Sequence, residues 1–151
     1  MAPSLSPRAY AAACWSLSAL FAARVLGQAV QRWMPQPFLP PVEAFQGSNL
    51  PYWLLLSVQL LILAVMVRVA GRVQTHRLVP NRRAGIWLAW PGAAYMVVAL
   101  GRIGVGLAVP GAPAWFKTWI PAFFHLVLAG FVLAVSLYHL RPPAPNRGEE
   151  S

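Results

Sequence analysis

Acidic residues are nearly missing from this chain. Three Asp or Glu stand against twelve Lys or Arg in 151 residues, and Glu149 and Glu150 fall within the last three positions, which leaves Glu43 alone in the body of the sequence. That shortage excludes paired-carboxylate acid–base chemistry and a proton path built on acids within a membrane. Cysteine is as scarce. A single Cys14 allows no intrachain disulfide, and its apolar surroundings mark the thiol as packing. No HExxH or CxxC spacing occurs, no metal site is expected, and no Ser-His-acid set stands out, the nearest to an acid–base site being Glu43 and His125 with one Ser or Tyr at the outer surface. No internal repeat is visible, which weighs against a transporter. Charge of either sign is low, 10% of residues, where a soluble domain carries about a quarter.

Apolar residues are in excess, 58% of the chain, and they are gathered in long runs. A hydrocarbon core of about 30 Å takes about 20 apolar residues in a helix. Four stretches reach that length, at about 10–30, 52–73, 85–109 and 119–140. Trp33, Tyr52, Trp53, Trp87, Trp90, Trp115 and Trp119 stand near their ends, as the aromatic belts of membrane proteins do. Lipid tolerates only helices and closed barrels, and no run alternates as a barrel strand must. The expected fold is therefore all-α, an integral membrane four-helix bundle over 1–141 with a polar, Pro-rich tail over 142–151. The first span begins like a signal peptide, with Arg8 ahead of an apolar run, but it is longer than a signal core and is expected to be retained.

Lys and Arg in short loops set orientation. Arg77, Arg82 and Arg83 fill the connection between spans two and three, Arg68 and Arg72 precede it, and Arg8, Arg141 and Arg147 flank the termini. The opposite side carries Arg32 and Lys117. Both termini of this multi-pass protein are thus expected in the cytoplasm, with the loops at about 31–51 and 110–118 outside. The net charge of +9 does not point to nucleic acid, because the basic residues punctuate apolar runs instead of forming a stripe.

Ionisable groups inside spans are costly and therefore informative. Counting helical rise places Arg24, Gln59, Arg102 and His125 at similar depth in the outer leaflet, one from each helix, with Gln28 one turn above Arg24. Two guanidiniums in one bundle need a counter-charge. Glu43 is the acid within reach, and its loop is too apolar for a solvated connector: Phe38, Leu39, Val42, Phe45 and Leu50 favour burial. The loop between spans one and two is expected to fold back over the bundle, with a helical turn over 42–45, a reversal at Gly47-Ser48-Asn49, and Glu43 pointing down at Arg24 or Arg102. The cluster Arg24, Gln28, Glu43, Gln59, Arg102 and His125 would retain surplus positive charge for a lipid phosphate or a quinone oxygen.

Haem is disfavoured. His125 and His139 share a face of the fourth span, but spans one to three hold no histidine to supply second axial ligands, and His76 lies in a loop. The run Gly101-Arg102-Ile103-Gly104-Val105-Gly106 lacks the preceding strand of a phosphate loop and suggests close helix packing, with Ala94, Gly101, Ala129 and Gly130 as the contact residues. A kink is expected at Pro91. No cofactor is required. With no catalytic constellation, the leading expectation is a non-catalytic accessory or structural subunit, partnered by the bilayer and by another membrane protein or a second copy. The alternative is a lipid- or quinone-binding protein, or a small membrane enzyme, using the outer cluster.

Overall fold

Local chemistry sets where each helix begins. Ser6 caps the first helix, accepting the Ala9 N–H at 3.3 Å, and Pro7 occupies its first turn, so α1 spans Pro7–Trp33 and starts ahead of the apolar run. α3 (Tyr52–Gln74) opens after Pro51. Asn81 caps α4 (Arg82–Ala108) through the N–H groups of Arg83 and Ala84, and α4 continues through Pro91. α6 covers Trp119–Leu140. One-turn helices, α2 (Val42–Phe45) and α5 (Ala114–Lys117), lie between the members of each pair. The computed structural model describes residues 6–45 and 50–141, among which there is no strand. The expected reversal at 47–49 and the tail at 142–151 lie outside the described residues.

Four of these helices are long and apolar enough to cross a membrane, so this is a small multi-pass membrane protein with an all-α four-helix bundle. α1 and α6 pack centrally, α3 flanks α1, and α4 flanks α6 along the longest interface. We call the end bearing α2 and α5 the lid end and the other the terminal end.

The two seams use different residues. On α1 the buried positions Ala11, Cys14, Ser18, Phe21, Val25 and Gln28 alternate spacings of three and four, as coiled-coil cores do. On α3 Gln59, Met66 and Val73 repeat every seven. The pair is antiparallel: the Trp15 indole donates to Gln74 at 2.7 Å near the terminal end, and Gln59 donates to Gln28 at 3.1 Å near the lid end. Between α4 and α6 the residues are small. Gly85, Gly92 and Ala99 on α4 and Ala122, Ala129 and Ser136 on α6 are buried, each set spaced by seven. A Cβ on Gly85 would stand 2.8 Å from the Leu140 side chain, and one on Gly92 would stand 3.0 Å from Leu133. The expectation of Ala94 and Gly101 as packing residues is corrected here: Ala94 is exposed, and nothing lies within 4 Å of a Cβ on Gly101. Each is two residues beyond Gly92 or Ala99, which turns it to the far side of the helix. Ala129 and Gly130 do pack, Ala129 fully buried and Gly130 against Leu17 of α1.

The halves also repeat one layout that residue identities had hidden. α1, α2 and α3 contain 27, 4 and 23 residues, and α4, α5 and α6 contain 27, 4 and 22. Trp53 precedes Gln59 by the same interval as Trp119 precedes His125. Each first helix carries one buried arginine, then a glycine against which the one-turn helix packs: Gly27 under the Phe45 ring, and Gly106 under the Phe116 carbonyl. A Cβ on Gly106 would meet that carbonyl oxygen, a backbone atom that cannot swing away, so this position requires glycine.

At the terminal end, Tyr138 donates to the Leu78 carbonyl at 2.8 Å, and His139 Nδ1 accepts the Asn81 N–H at 3.0 Å. Both tie the α3–α4 connection to the last turn of α6. Tyr10 meets Tyr138 edge-on, and the Arg141 guanidinium lies 4.2 Å from the centre of the Tyr138 ring. α3 ends in a Schellman motif, with Arg77 N–H on the Arg72 carbonyl and His76 N–H on that of Val73. His76 occupies its left-handed position, φ 55°, where glycine is usual.

Candidate functional site

Depth along the helices determines what a polar side chain can reach, and the lid-end residues lie deep. Because α1 runs on to Trp33, Arg24 is nine residues from its end, or about 14 Å of helical rise. Arg24 is 9% exposed, Arg102 3%, Gln28 0% and Gln59 4%. These are bundle residues and not headgroup snorkellers.

Each half builds one part of the layer. In the first, Arg24 donates to the Phe45 carbonyl of α2 at 3.0 Å and lies 5.5 Å from the centre of the Phe124 ring on α6. One turn further along α1, Gln28 accepts from Gln59. In the second, Arg102 donates to the Thr118 hydroxyl at 2.6 Å, and its other nitrogen stands 3.4 Å from His125 Nδ1. A guanidinium has no lone pair to offer, so Nδ1 is the acceptor and the imidazole proton sits on Nε2. The Tyr95 ring packs 5.5 Å from the imidazole. Phe124 and His125 are consecutive, so the two guanidiniums approach neighbouring residues of α6, and His125 is within electrostatic reach of both.

Arg24, Gln28, Gln59, Arg102 and His125 thus fall in one layer fed by all four long helices. Glu43 does not join it. The lid folds over as expected, but Glu43 is exposed and the buried residue of its turn is Phe45. Residues two apart on a helical turn face nearly opposite ways. Burying a phenyl ring gains about 1.5–3 kcal/mol, whereas a carboxylate carried inward must shed its water. Arg24 therefore meets an uncharged carbonyl in place of the expected carboxylate.

Sequence reasoning missed Thr118 and the Phe45 carbonyl. Thr118 had a signal, a threonine ahead of an apolar run, which reads as a helix cap. It is the cap residue of α6, yet its hydroxyl makes no cap bond and receives Arg102 instead. A backbone carbonyl has no sequence signal at all.

The layer is rich in donors and incompletely bonded. Among the described residues, the buried side-chain nitrogens and oxygens without a hydrogen-bond partner are Arg24 Nε, Gln28 Nε2, Gln59 Oε1 and the Tyr52 hydroxyl, and all four lie toward the lid end. Buried polar atoms are almost always bonded, so such a cluster calls for an explanation. Its chemistry is that of a receptor for acceptor oxygens: two permanent cations, amide groups and an imidazole N–H, with the carboxylate turned away.

Compared with protein-family models, with curated proteins and with solved structures, the chain matches none.

Proposed function

We propose that this membrane protein holds the polar head of an amphiphile in its lid-end layer, with the head's acceptor oxygens facing Arg24, Arg102 and His125. The observation that carries this is Arg24. It is buried, its one hydrogen bond among the described residues goes to an uncharged carbonyl, and its Nε is unpaired. An uncompensated ion in a bundle costs several kcal/mol even after relaxation, and an anionic or strongly accepting head offsets that cost. A lipid phosphate and a quinone carbonyl both offer suitable oxygens, and paired guanidiniums favour the phosphate.

Arg24→Gln tests it, since glutamine keeps a donor for the Phe45 carbonyl while removing the charge. Native mass measurement after gentle detergent extraction should find a bound lipid or quinone on the parent protein and less on the variant. Equal retention would end the headgroup reading.

A second reading, an accessory subunit of a larger membrane complex, is supported by α4. Its lipid-facing side carries Gly101 and Gly104, at both of which a Cβ would meet open space. Bare backbone on a lipid-facing side is what a close-packing partner helix uses. The same measurement separates the readings: a heteromeric mass favours the subunit, and a solitary chain with a small molecule favours the receptor.

The exposed arginines support one orientation. Arg8, Arg68, Arg72, Arg77, Arg82 and Arg83 gather toward the terminal end, which supports placing that end in the cytoplasm. With Cys14 buried and changed to Ala, a cysteine in place of Gln36 should react with a membrane-impermeant maleimide on intact cells. Labelling only after lysis would reverse the orientation.

A further inference from the structure

Resting on the headgroup reading, we propose that the head is a terminal phosphate, a phosphomonoester, and not a phosphodiester or a neutral quinone. The site has two halves of matching layout, and each delivers one guanidinium to adjoining α6 residues: Arg24 to the ring of Phe124 and Arg102 to Nδ1 of His125. Among the described residues, the oxygens they are seen to meet, the Phe45 carbonyl and the Thr118 hydroxyl and carbonyl, are uncharged. Glu43, the acid of the described residues, is exposed. A diester brings one negative charge to two cations. A monoester brings about 1.5 to 2, close to balance.

Oxygen count points the same way. A monoester has three terminal oxygens, a diester two. Beyond the donors already engaged, Arg24 Nε and Gln28 Nε2 are buried without acceptors, one turn apart on the same face of α1. A third terminal oxygen gives that pair an acceptor which an esterified oxygen would not. Ethanolamine or choline on the phosphate would bring a cation to a site already holding two.

A phosphomonoester lipid and free phosphate share this chemistry, and thermal unfolding of the purified full chain in detergent separates them. Four probes are compared at equal concentration: phosphatidate, phosphatidylmethanol with the same acyl chains, phosphatidylcholine and inorganic phosphate. Phosphatidate should bind about tenfold tighter than phosphatidylmethanol, the worth of one charge-assisted hydrogen bond. Inorganic phosphate matching phosphatidate would support the same chemistry with a soluble source. Equal binding of phosphatidate and phosphatidylmethanol, both above phosphatidylcholine, would overturn the monoester inference and leave the headgroup reading standing. No preference for either over phosphatidylcholine would likewise overturn the monoester inference, while the headgroup reading falls only if Arg24→Gln retains its amphiphile as well as the parent protein. Arg24→Gln should bring the phosphatidate-to-phosphatidylmethanol ratio near one, whereas Arg68→Gln, exposed near the other end of the bundle, should leave it unchanged. If Arg68→Gln lowers the ratio as far, the preference is surface charge and the inference fails.

Discussion

The two ends of the bundle draw on similar polar residues and reach opposite hydrogen-bonding outcomes. At the terminal end, Tyr138 finds the Leu78 carbonyl, His139 the Asn81 N–H, Ser136 the Gly85 carbonyl, and Asn81 caps α4. At the lid end, two arginines and two glutamines are buried, where at the terminal end Asn81 is exposed and His139 half-buried, and Arg24 Nε, Gln28 Nε2, Gln59 Oε1 and the Tyr52 hydroxyl go without partners. The contrast separates a closed polar network, which fixes helix positions, from an open one, whose unfilled valences suit a ligand.

The contrast is broken most severely by Tyr138→Phe. It removes a bond from the closed network and leaves the Leu78 carbonyl without its donor, at a cost of about 1–3 kcal/mol. Thermal unfolding should show a clear drop in melting temperature, and an unchanged value would mean that water replaces the hydroxyl. The open network should respond the other way. Joint replacement Gln28→Leu with Gln59→Leu deletes one interhelical bond, worth about 0.6 kcal/mol in membrane bundles, together with two buried unbonded groups that each cost more. Ligand-free protein should melt about 1 kcal/mol more stably while losing affinity for its amphiphile. A destabilised double variant would show that the pair is a register device and not part of a receptor. The smallest effect is expected from His76→Gly. Relief of the left-handed backbone, about 1–2 kcal/mol, is partly offset by the greater freedom of glycine in the unfolded chain, which leaves a gain of less than about 1 kcal/mol in denaturant titration.

Much of this was legible in residue order. Span positions followed from apolar length, and the shared depth of Arg24, Gln59, Arg102 and His125 followed from helical rise, because a helix in lipid leaves little freedom in how far along it a residue sits. Azimuth was less accessible. Gly101 and Ala94 looked like packing residues by type, but the seam runs through Gly85, Gly92 and Ala99, and only the seven-residue phase distinguishes the two sides. Glu43 failed for a related reason. A single turn presents one side inward, and Phe45 occupied it. The duplicated layout is not legible in residue order, because it is carried by element lengths while Gln59 and His125 share no chemistry class with one another.

Gln28 and Gln59 pair within the first half of the chain, whereas the tie between halves at the terminal end waits for Tyr138 and His139, in the last turn of the last helix. In chain order, the Gln28–Gln59 bond therefore belongs to the leading hairpin alone, whereas Arg24 gains its Phe124 neighbour only with the last long helix. The lid-end layer is thus completed by the C-terminal half of the chain, and a truncation ahead of Phe124 removes the aromatic neighbour of its buried cation.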